Sequence, residues 1–512
     1  MKRDITGIPN LFLIVSLLLI PSLYVALIAA HGYRFGDEDM TETLSYALFL
    51  RDNTLFPADF YIQSLAQQPL NERFPFALIL SLFGSHLEWS CFLMHGVITL
   101  ICLLGWYKLV KHFVKDPFLQ ILFFLISFFL LYGVNLGGNE VYYYYLVPGA
   151  LAKSIAIWTL WALIKRKWNV FFLLLIAVTF IQPLVGIQLF LLGSISIIPI
   201  RHSNFLSSPR TWLPGILCFI FTAGVWIAIL FFQDFIHDHQ SDAIPYADLI
   251  ESRLAHHFFP SYFDKQGYFI LIPLFILGTV IWAKNDRLLF FFFILSLLGS
   301  LVYYISVECL QINFLLKSQW FKTTIWLKPL SVLALIYFVD QKLQVRISVV
   351  FSLLMLASIV SLAFIQLDQG RFLKGRPYHF PTAEYKNPEM TLAERAREIL
   401  PHDACLVTPP YITGFRFFSR RSLYIDYKSN LHSRAYLSEA YRRRKQIYNI
   451  DVQTRREGQN MALTGNMNYH QLKTHNFRAL KGYGVTHCVV ESSISLDLPL
   501  ILQNELFKIY TL

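Results

Sequence analysis

The chain of 512 residues is 55% hydrophobic and 15% charged, whereas about a quarter of the residues of an ordinary soluble protein are charged. As far as about Leu367 the charges cluster between long apolar runs, and from Asp368 onward they recur every few residues. The formal net charge of +11 lies largely in the connections between those runs, so it does not indicate a nucleic-acid partner. The composition excludes a wholly soluble protein and predicts a multi-pass membrane protein with a soluble tail.

Eleven apolar stretches are predicted to span the bilayer, which takes about 20 residues per helix. The first follows Met1-Lys2-Arg3 and is longer than the core of a cleavable signal peptide, which has about 7–15 residues, so we interpret it as an uncleaved span. The fifth and sixth are short and meet at Gln182-Pro183. The predicted spans are 8–30, 87–107, 117–133, 147–164, 168–182, 184–200, 211–232, 267–283, 288–307, 323–340 and 346–366.

Lysine and arginine concentrate in every second connection between these spans, and short cytoplasmic loops retain positive charge. The opposite connections are longer and poorer in cations. This pattern predicts a protein of the cytoplasmic (inner) membrane with a cytoplasmic N-terminus, and with the long loops and the tail outside. The cations are Lys2-Arg3, then Lys108, Lys111 and Lys115, then Lys165-Arg166-Lys167, Arg201 and Arg210, Lys284 and Arg287, and Lys342 and Arg346.

The predicted fold is an α-helical polytopic membrane domain over residues 1–366, a linker over 367–390 and a small extracytoplasmic α/β domain over 391–512. The membrane domain includes a long outer loop, residues 31–86. In the tail, Thr391 and Glu394 have the spacing of a capping box at the start of a helix. Strands are predicted over 404–408, 422–427, 486–491 and 507–512. Cys405 and Cys488 fall on two of these strands, and the sequence leaves open whether they form a disulfide.

The first outer loop carries the three consecutive carboxylates Asp37, Glu38 and Asp39 close to the end of the first span. Neighbouring like charges at a membrane surface cost free energy, which points to a use for them. A second interpretation is that they cap the helix predicted over 41–50, with Glu42 completing a capping box. Further on, Asp59 lies in an aromatic setting, and residues 76–84 are predicted to form an interfacial helix.

Several phrases and the overall layout resemble the GT-C superfamily, the polytopic glycosyltransferases that use polyprenyl-phosphate-linked sugars, and within it a poorly characterised bacterial branch. The layout is a first span, an acidic pair in a long outer loop, many further spans and an outer tail domain. The phrases are Phe35-Gly36-Asp37-Glu38, residues 55–61 (LFPADFY), residues 182–186 (QPLVG) and residues 414–428 (GFRFFSRRSLYIDYK).

The resemblance implies transfer of a sugar from a polyprenyl-phosphate donor to a glycan, lipid or protein acceptor on the outer face of the membrane. Asp37 matches the position of the general base or metal ligand best, and Glu38 is next. Asp39 and Asp59 are candidate supporting acids, and Glu140, in a glycine-flanked outer turn, is a candidate second functional acid. No cofactor is predicted outright, and a requirement for Mg²⁺ or Mn²⁺ stays open.

The donor phosphate needs cationic partners from the outer face. A second interpretation of each candidate is that its side chain extends to the lipid headgroups. The tyrosines at 142–145 are interpreted as an aromatic belt, and stacking of one or two of them on a sugar stays open. Arg416, Arg420 and Arg421 are interpreted as solvated surface residues, and recognition of an anionic acceptor by them stays open. The candidates for phosphate binding are Arg253, which shares a predicted helix face with His257, and Arg34, Lys317 and Lys322.

Two other functions remain open beside the enzyme. One is transport or flipping of a lipid-linked glycan, although the predicted spans contain few charges and no internal repeat is visible. The other is a catalytically inactive, glycan-binding scaffold that keeps only the layout.

Overall fold

A computed structural model describes residues 9–36, 39–199, 212–238, 244–310, 312–343, 387–451 and 461–512, with the single residues 210, 357 and 361. Their contacts divide the chain into two compact units. The helical unit comprises the described residues of 1–34, 92–225 and 256–380. The mixed unit comprises those of 35–91, 226–255 and 381–512.

Apolar helices make up the helical unit, as composition predicts for a membrane protein. They are α1 (Pro9–His31), α5 (Leu87–Phe113), α6 (Pro117–Phe124, continued by a π-helical segment Leu125–Leu130), α7 (Pro148–Ile164), α8 (Trp168–Ile181), α9 (Pro183–Ile197) and α10 (Leu213–Phe219, followed by the π-helical Ile220–Gly224). Of the next two helices, α11 (Val225–Asp238) and α12 (Tyr246–Phe258), nearly all residues belong to the mixed unit. The helical unit continues with α13 (Lys265–Asn285), α14 (Arg287–Tyr304, continued by the π-helical Ile305–Cys309), α15 (Asn313–Leu316) and α16 (Thr324–Leu343).

Five stretches of the described chain are long and apolar enough to cross a membrane, which agrees with the prediction of a helical membrane protein. Five shorter apolar helices lie at other predicted spans, and the last predicted span, 346–366, lies outside the described residues apart from Ala357 and Ser361. The count of eleven therefore stays a prediction. The five long stretches are Leu87–Phe113, Leu213–Gln233, Lys265–Asn285, Arg287–Cys309 and Trp320–Lys342.

Short polar side chains set where several of these helices begin. The Asp116 carboxylate accepts a hydrogen bond from the Leu119 amide at 3.1 Å, and Pro117 occupies the first helical position. Asp286 likewise accepts from the Leu289 amide at 3.0 Å at the start of α14. Each cap satisfies an amide that the first turn of a helix leaves without a backbone acceptor.

The mixed unit begins with three helices of the first outer loop, α2 (Asp39–Arg51), α3 (Phe60–Gln67) and α4 (Phe74–Ser81). Helix α2 coincides with the helix predicted over 41–50. Nine consecutive residues, Met40 to Leu48, are buried, so α2 is covered on all sides. The predicted interfacial helix over 76–84 corresponds to α4.

The tail of the mixed unit contains α17 (Pro388–Ile399), β1 (Cys405–Val407), α18 (Phe415–Ser419), β2 (Ser422–Leu423), α19 (Arg434–Tyr448), α20 (Met461–His470), α21 (Thr474–Leu480), β3 (His487–Glu491), β4 (Leu500–Gln503) and β5 (Phe507–Thr511). The five strands form one sheet in the order β2-β1-β3-β5-β4. Strand β1 pairs parallel to β2 and β3, whereas β5 pairs antiparallel to β3 and β4. A small α/β domain was expected, but β4 was not.

Two boundaries differ from those assigned from sequence. Helix α17 starts inside the predicted linker, because Asn387 caps it by accepting from the Met390 amide at 2.7 Å and Pro388 suits the first turn. More importantly, the outer-loop residues 35–91 belong to the same compact unit as the tail. From sequence, that loop had been grouped with the membrane helices.

Candidate functional site

The acidic pair Asp37 and Glu38 lies outside the described residues, between two anchored neighbours. Before the pair, Gly36 has a positive φ of 70°, and a Cβ added there would overlap the Phe418 ring, so glycine is required. Phe35 packs edge-on against Phe417 with ring centroids 5.7 Å apart. The chain that enters the acidic pair is thus held by α18 of the tail.

After the pair, Asp39 begins α2 and forms an ion pair with Lys428 at 2.7 Å. Its carboxylate is about half exposed and lies in the first turn, where the helix dipole favours negative charge. Two residues later, the Thr41 hydroxyl donates a hydrogen bond to the Thr413 carbonyl at 3.2 Å. These contacts give Asp39 a structural role, and they tie the chain that leaves the acidic pair to the tail.

Glu42 does not complete a capping box but is buried opposite Arg73, with 2.9 Å between the carboxylate and the guanidinium. Burial raises the pKa of Glu42 to about 7, although the charge of Arg73 lowers it. Asp39 adds to the rise by like-charge repulsion. The Arg73 guanidinium also donates to the Asn430 carbonyl at 2.8 Å, which extends this contact into the tail.

Asp59 is fully buried at the centre of a second charged network. Its Oδ2 accepts from Arg416 Nε at 2.7 Å and from the Leu423 amide at 2.7 Å, while Oδ1 caps α3 through the Ile62 amide at 3.0 Å. The Arg416 guanidinium also pairs with Asp426. Asp59 thus joins loop and tail, and the expectation that Arg416 is a solvated surface residue is wrong.

The helical unit contains a buried group of charges around Glu140. Lys153, on α7, is completely buried, and its ammonium donates to Asn139 Oδ1, to the Glu140 carbonyl at 2.6 Å and to the Tyr143 hydroxyl at 2.7 Å. Tyr142, Tyr144 and Tyr145 are buried as well, so the tyrosine run is part of the interior rather than an exposed aromatic belt.

Lys328, on α16, forms an ion pair with Glu140 at 2.8 Å. Its ammonium also donates to the carbonyls of Leu131 and Val134, at 3.1 and 3.0 Å. The other carboxylate oxygen of Glu140 accepts from the Gly133 amide and the Asn135 amide group, at 3.0 and 2.9 Å. Glu140 therefore organises the turn over 131–140 and neutralises one of the buried lysines.

A third lysine, Lys322, acts electrostatically on Lys153, as do Glu140 and Lys328. We call Lys153, Lys322 and Lys328 the lysine cluster. Among the residues that the structure describes, Lys153 and Lys328 place two buried ammonium groups at the Glu140 segment, and charges buried in an apolar unit require compensation. A small cavity borders the pair of Glu140 and Lys328 and is lined further by Ser127, Phe128, Tyr132, Val141, Tyr142 and Pro329.

The other predicted phosphate partners lie elsewhere or are not described. Arg34 is held at the Tyr144 and Tyr145 segment, its amide donating to the Tyr144 carbonyl at 3.3 Å. Lys317 follows α15, and its side chain is half-buried. Of the predicted cations that the structure describes, Lys322 acts on Lys153, and His257 contacts the Glu140 turn at Gly137.

His257 and Arg253 were expected to share a helix face. His257 instead donates from Nδ1 to the Gly137 carbonyl at 2.8 Å, and the Arg253 side chain lies outside the described part of the structure. The backbone at Leu254, with φ of −119° and ψ of 18°, is not helical, so a kink separates the two positions. A regular i,i+4 relation does not hold there.

Sequence reasoning missed Lys153 and Lys328 because one lysine barely changes the hydropathy of a 20-residue window. Their positions carry the signal that was overlooked. Each lies in the first turns of a predicted span that follows a predicted outer connection. Burying a charged lysine at that depth costs free energy unless a partner compensates the charge.

No three His, Cys, Asp or Glu side chains converge as a metal site among the residues that the structure describes. The rings of His256 and His257 lie 4.0 Å apart, without a third candidate ligand in that part of the chain. Asp37 and Glu38 lie outside the described residues, so a requirement for Mg²⁺ or Mn²⁺ stays open.

The model of one protein family, a domain of unknown function (DUF6798), matches residues 387–447. No curated protein matches the chain significantly. The matched segment runs from the cap of α17 to the end of α19 and contains Arg416, Asp426 and Arg444 of the buried network. The similarity therefore covers the part of the tail that contacts the outer loop.

Proposed function

We propose that this chain is a membrane glycosyltransferase that moves a sugar from a polyprenyl-phosphate-linked donor to a glycan, lipid or protein acceptor on the outer face of the cytoplasmic membrane. The observation that supports the proposal most is the lysine cluster. Lys153 and Lys328 bring two buried ammonium groups to the Glu140 segment within a unit built from apolar helices. A lipid-linked phosphate brings both the apolar tail and the negative charge that such a site attracts.

In this proposal the lysine cluster holds the phosphate and stabilises the charge that it gains as it leaves. Preorganised cations in an apolar surrounding act strongly on developing charge. The bond between the sugar carbon and the phosphate oxygen breaks, and the acceptor oxygen forms the new bond to that carbon. The phosphate leaves with the electron pair and remains attached to the polyprenyl chain.

Asp37 is the proposed base that takes the proton of the acceptor hydroxyl, and Glu38 is its neighbouring acid. A carboxylate among like charges near an apolar surface has a raised pKa, which suits proton transfer near neutral pH. The tail supports this role from both sides of the acidic pair, through Phe418 against Gly36 and Lys428 against Asp39. A base must be held in position for such a reaction.

The test is a transfer assay with labelled polyprenyl-phosphate hexoses and pentoses, using the purified chain in liposomes and an envelope fraction as acceptor. We expect Asp37→Asn to lower the rate by about 100-fold or more, as for loss of a general base. Lys328→Met should raise the donor KM. Lys284→Met, an exposed lysine at the end of α13, is the control and should retain activity. Equal activity of wild type and Asp37→Asn contradicts the assignment of the base.

A second candidate, transport of a lipid-linked glycan, is favoured by one observation. Lys153 and Lys328 are buried ionisable groups in apolar helices, and such groups are typical of substrate pathways in transporters. The same liposomes distinguish the two functions. Movement of labelled donor lipid between leaflets without release of polyprenyl phosphate indicates a transporter, and absence of both activities indicates the inactive scaffold.

A further inference from the structure

Three exposed arginines lie together on the surface of the mixed unit, away from its buried networks. Arg51 ends α2, Arg397 lies in the last turn of α17 and Arg420 follows α18 with a left-handed backbone, φ 51°. We call these three residues the arginine patch. They come from chain segments far apart in sequence, so the fold, and not a local run of basic residues, brings them together.

Arg421 fixes part of this arrangement. Its buried guanidinium donates to the carbonyls of Arg397 at 2.6 Å, of Leu400 at 2.7 Å and of Arg420 at 3.2 Å. One side chain thus closes the C-terminal end of α17 and holds the backbones of two patch residues close to each other. The expectation that Arg421 is a solvated surface residue is wrong, because its guanidinium is buried and links the end of α17 to the end of α18.

Positive charge exceeds negative charge in the patch. Burial and the like charges of Arg397 and Arg51 lower the pKa of Arg420. Asp52 is the carboxylate that acts on Arg420, and it also interacts with His402. Its Oδ1 already accepts from the Thr54 amide and hydroxyl, at 3.1 and 2.6 Å. Three guanidinium groups facing one carboxylate form a surface that attracts anions.

The arginine patch lies beside the start of a predicted membrane span. The Arg51 guanidinium donates to the Gly84 carbonyl at 2.7 Å, and α5, which is long enough to span a bilayer, begins three residues later at Leu87. Around this point Leu78, Leu82 and Trp89 expose 44%, 78% and 42% of their surface. Exposed leucine and tryptophan beside arginine are typical of the membrane interface, where the rings and cations meet the headgroups.

We propose that the arginine patch docks on the bilayer surface and binds the phosphate groups of anionic phospholipids. Charge complementarity supports this occupant, because arginine forms paired hydrogen bonds with phosphate oxygens. Its position supports it as well, since Arg51 contacts the residue that leads into α5. The docking does not depend on the proposed transfer reaction, and it orients the mixed unit on the membrane whether or not that reaction occurs.

The experiment uses the full chain in nanodiscs of phosphatidylcholine with or without phosphatidylglycerol. Hydrogen exchange is followed in peptides covering 51–54, 395–403 and 419–421, and the phosphatidylglycerol that stays bound on extraction is counted by native mass spectrometry. We expect phosphatidylglycerol to protect these peptides and to be enriched. Each arginine replaced by glutamine should lower the enrichment by about fivefold. High salt should weaken it too.

Matched variants separate charge from fold. Arg51→Lys/Arg397→Lys/Arg420→Lys keeps the charge and should keep most of the enrichment. Arg395→Gln/Arg442→Gln/Arg478→Gln removes three exposed arginines elsewhere on the same unit and should leave the enrichment unchanged. Among the single variants, Arg420→Gln is decisive, because it removes one charge and leaves Arg51 and Arg397 in place. Enrichment that is equal in Arg420→Gln and wild type overturns the proposal. Equal protection by inorganic phosphate in discs without phosphatidylglycerol overturns it as well, since it would indicate a site for soluble anions.

Discussion

The Asp59 carboxylate lies 2.7 Å from the guanidinium of Arg416, a residue 357 positions further along the chain, and solvent reaches almost none of either side chain. The pair joins the LFPADFY phrase of the first outer loop to the tail phrase that begins at Gly414. Because Arg416 also pairs with Asp426, one guanidinium compensates two buried carboxylates.

Arg416→Met should therefore be among the most destabilising substitutions in the mixed unit. It leaves two buried carboxylates without their shared cation, and breaking a buried ion pair costs about 3–5 kcal/mol of unfolding free energy. Asp59→Asn should cost less, since Asn still caps α3 and Arg416 keeps Asp426. Denaturant titration of the purified chain in detergent measures both. Arg442→Gln, which removes an exposed pair with Glu439, is the control and should cost less than about 1 kcal/mol. Equal stabilities of Arg416→Met and this control would exclude a structural role for the network.

Glu42 should make the stability of the chain fall as the pH rises through neutrality. Its pKa is raised to about 7 in the fold, mainly by burial, above the ordinary value that it regains on unfolding. A carboxyl group with a raised pKa opposes folding once it ionises, so its destabilising effect grows with pH and levels off above the folded pKa. We expect the unfolding free energy to be lower by about 1 kcal/mol at pH 8 than at pH 6.

Glu42→Gln should remove that pH dependence, which thermal unfolding of both proteins across this range will show. Arg73, Asp39, Lys428 and Asp426 act on Glu42, and the pKa of Arg73 is raised and that of Asp426 lowered, both away from this range. The control is Glu439→Gln, because the pKa of Glu439 is lowered by its hydrogen bonds with Arg442 and Arg443, although burial opposes them. A slope that persists in Glu42→Gln would assign the effect to another group.

Glu140→Gln should strengthen binding of a polyprenyl phosphate. The amide keeps an oxygen for the Gly133 amide and Asn135, so the turn remains, but the charge that competes for Lys328 is removed. With geranylgeranyl phosphate as the probe, we expect a several-fold lower Kd by native mass spectrometry. Glu308→Gln, another acid of the helical unit that accepts from the Ser261 amide, should leave the Kd unchanged. A weaker complex with Glu140→Gln would contradict competition between Glu140 and phosphate.

Cys405 and Cys488 should be free thiols. Cys488 pairs with Val407 in the parallel sheet, and Cys405 lies two positions before Val407, which separates the two Cα atoms by about 8 Å. That distance exceeds what a disulfide bridges. Burial raises the pKa of each thiol to about 12, so neither should react in the folded chain. Both should be alkylated after denaturation without reductant, and an intact mass two protons lighter than expected would reveal a bridge.

Hydropathy was sufficient to predict most of the apolar helices, whereas the capping box expected at Thr391 and Glu394 was wrong, because Asn387 caps α17. Asp116 and Pro117 mark a helix start as clearly in the sequence as in the structure, since the cap is local chemistry. Strand β4 was not predicted, because three of its four residues are exposed and the strand is defined by its partner β5 and not by its own pattern.

The charged networks could not be predicted, because each depends on distant partners. Nothing in a single sequence links Asp59 to Arg416, or Glu140 to Lys328 at a separation of 188 residues. Lys322 was found because it lies in a predicted outer connection. Lys153 and Lys328 were overlooked, because the sequence does not show whether a lysine in an apolar run has a partner that holds it in the interior.

The separation of Asp59 and Arg416 along the chain also sets a delay during biosynthesis. Ribosomes add about 5–20 residues per second, so the 357 residues between them take about 20–70 seconds to make. For that time the newly made loop holds an acidic side chain whose counter-ion does not yet exist. The mixed unit can complete its core only once the last part of the chain has emerged. Truncation before α18 would therefore leave Asp59 of the first outer loop without the tail residues that bind its carboxylate.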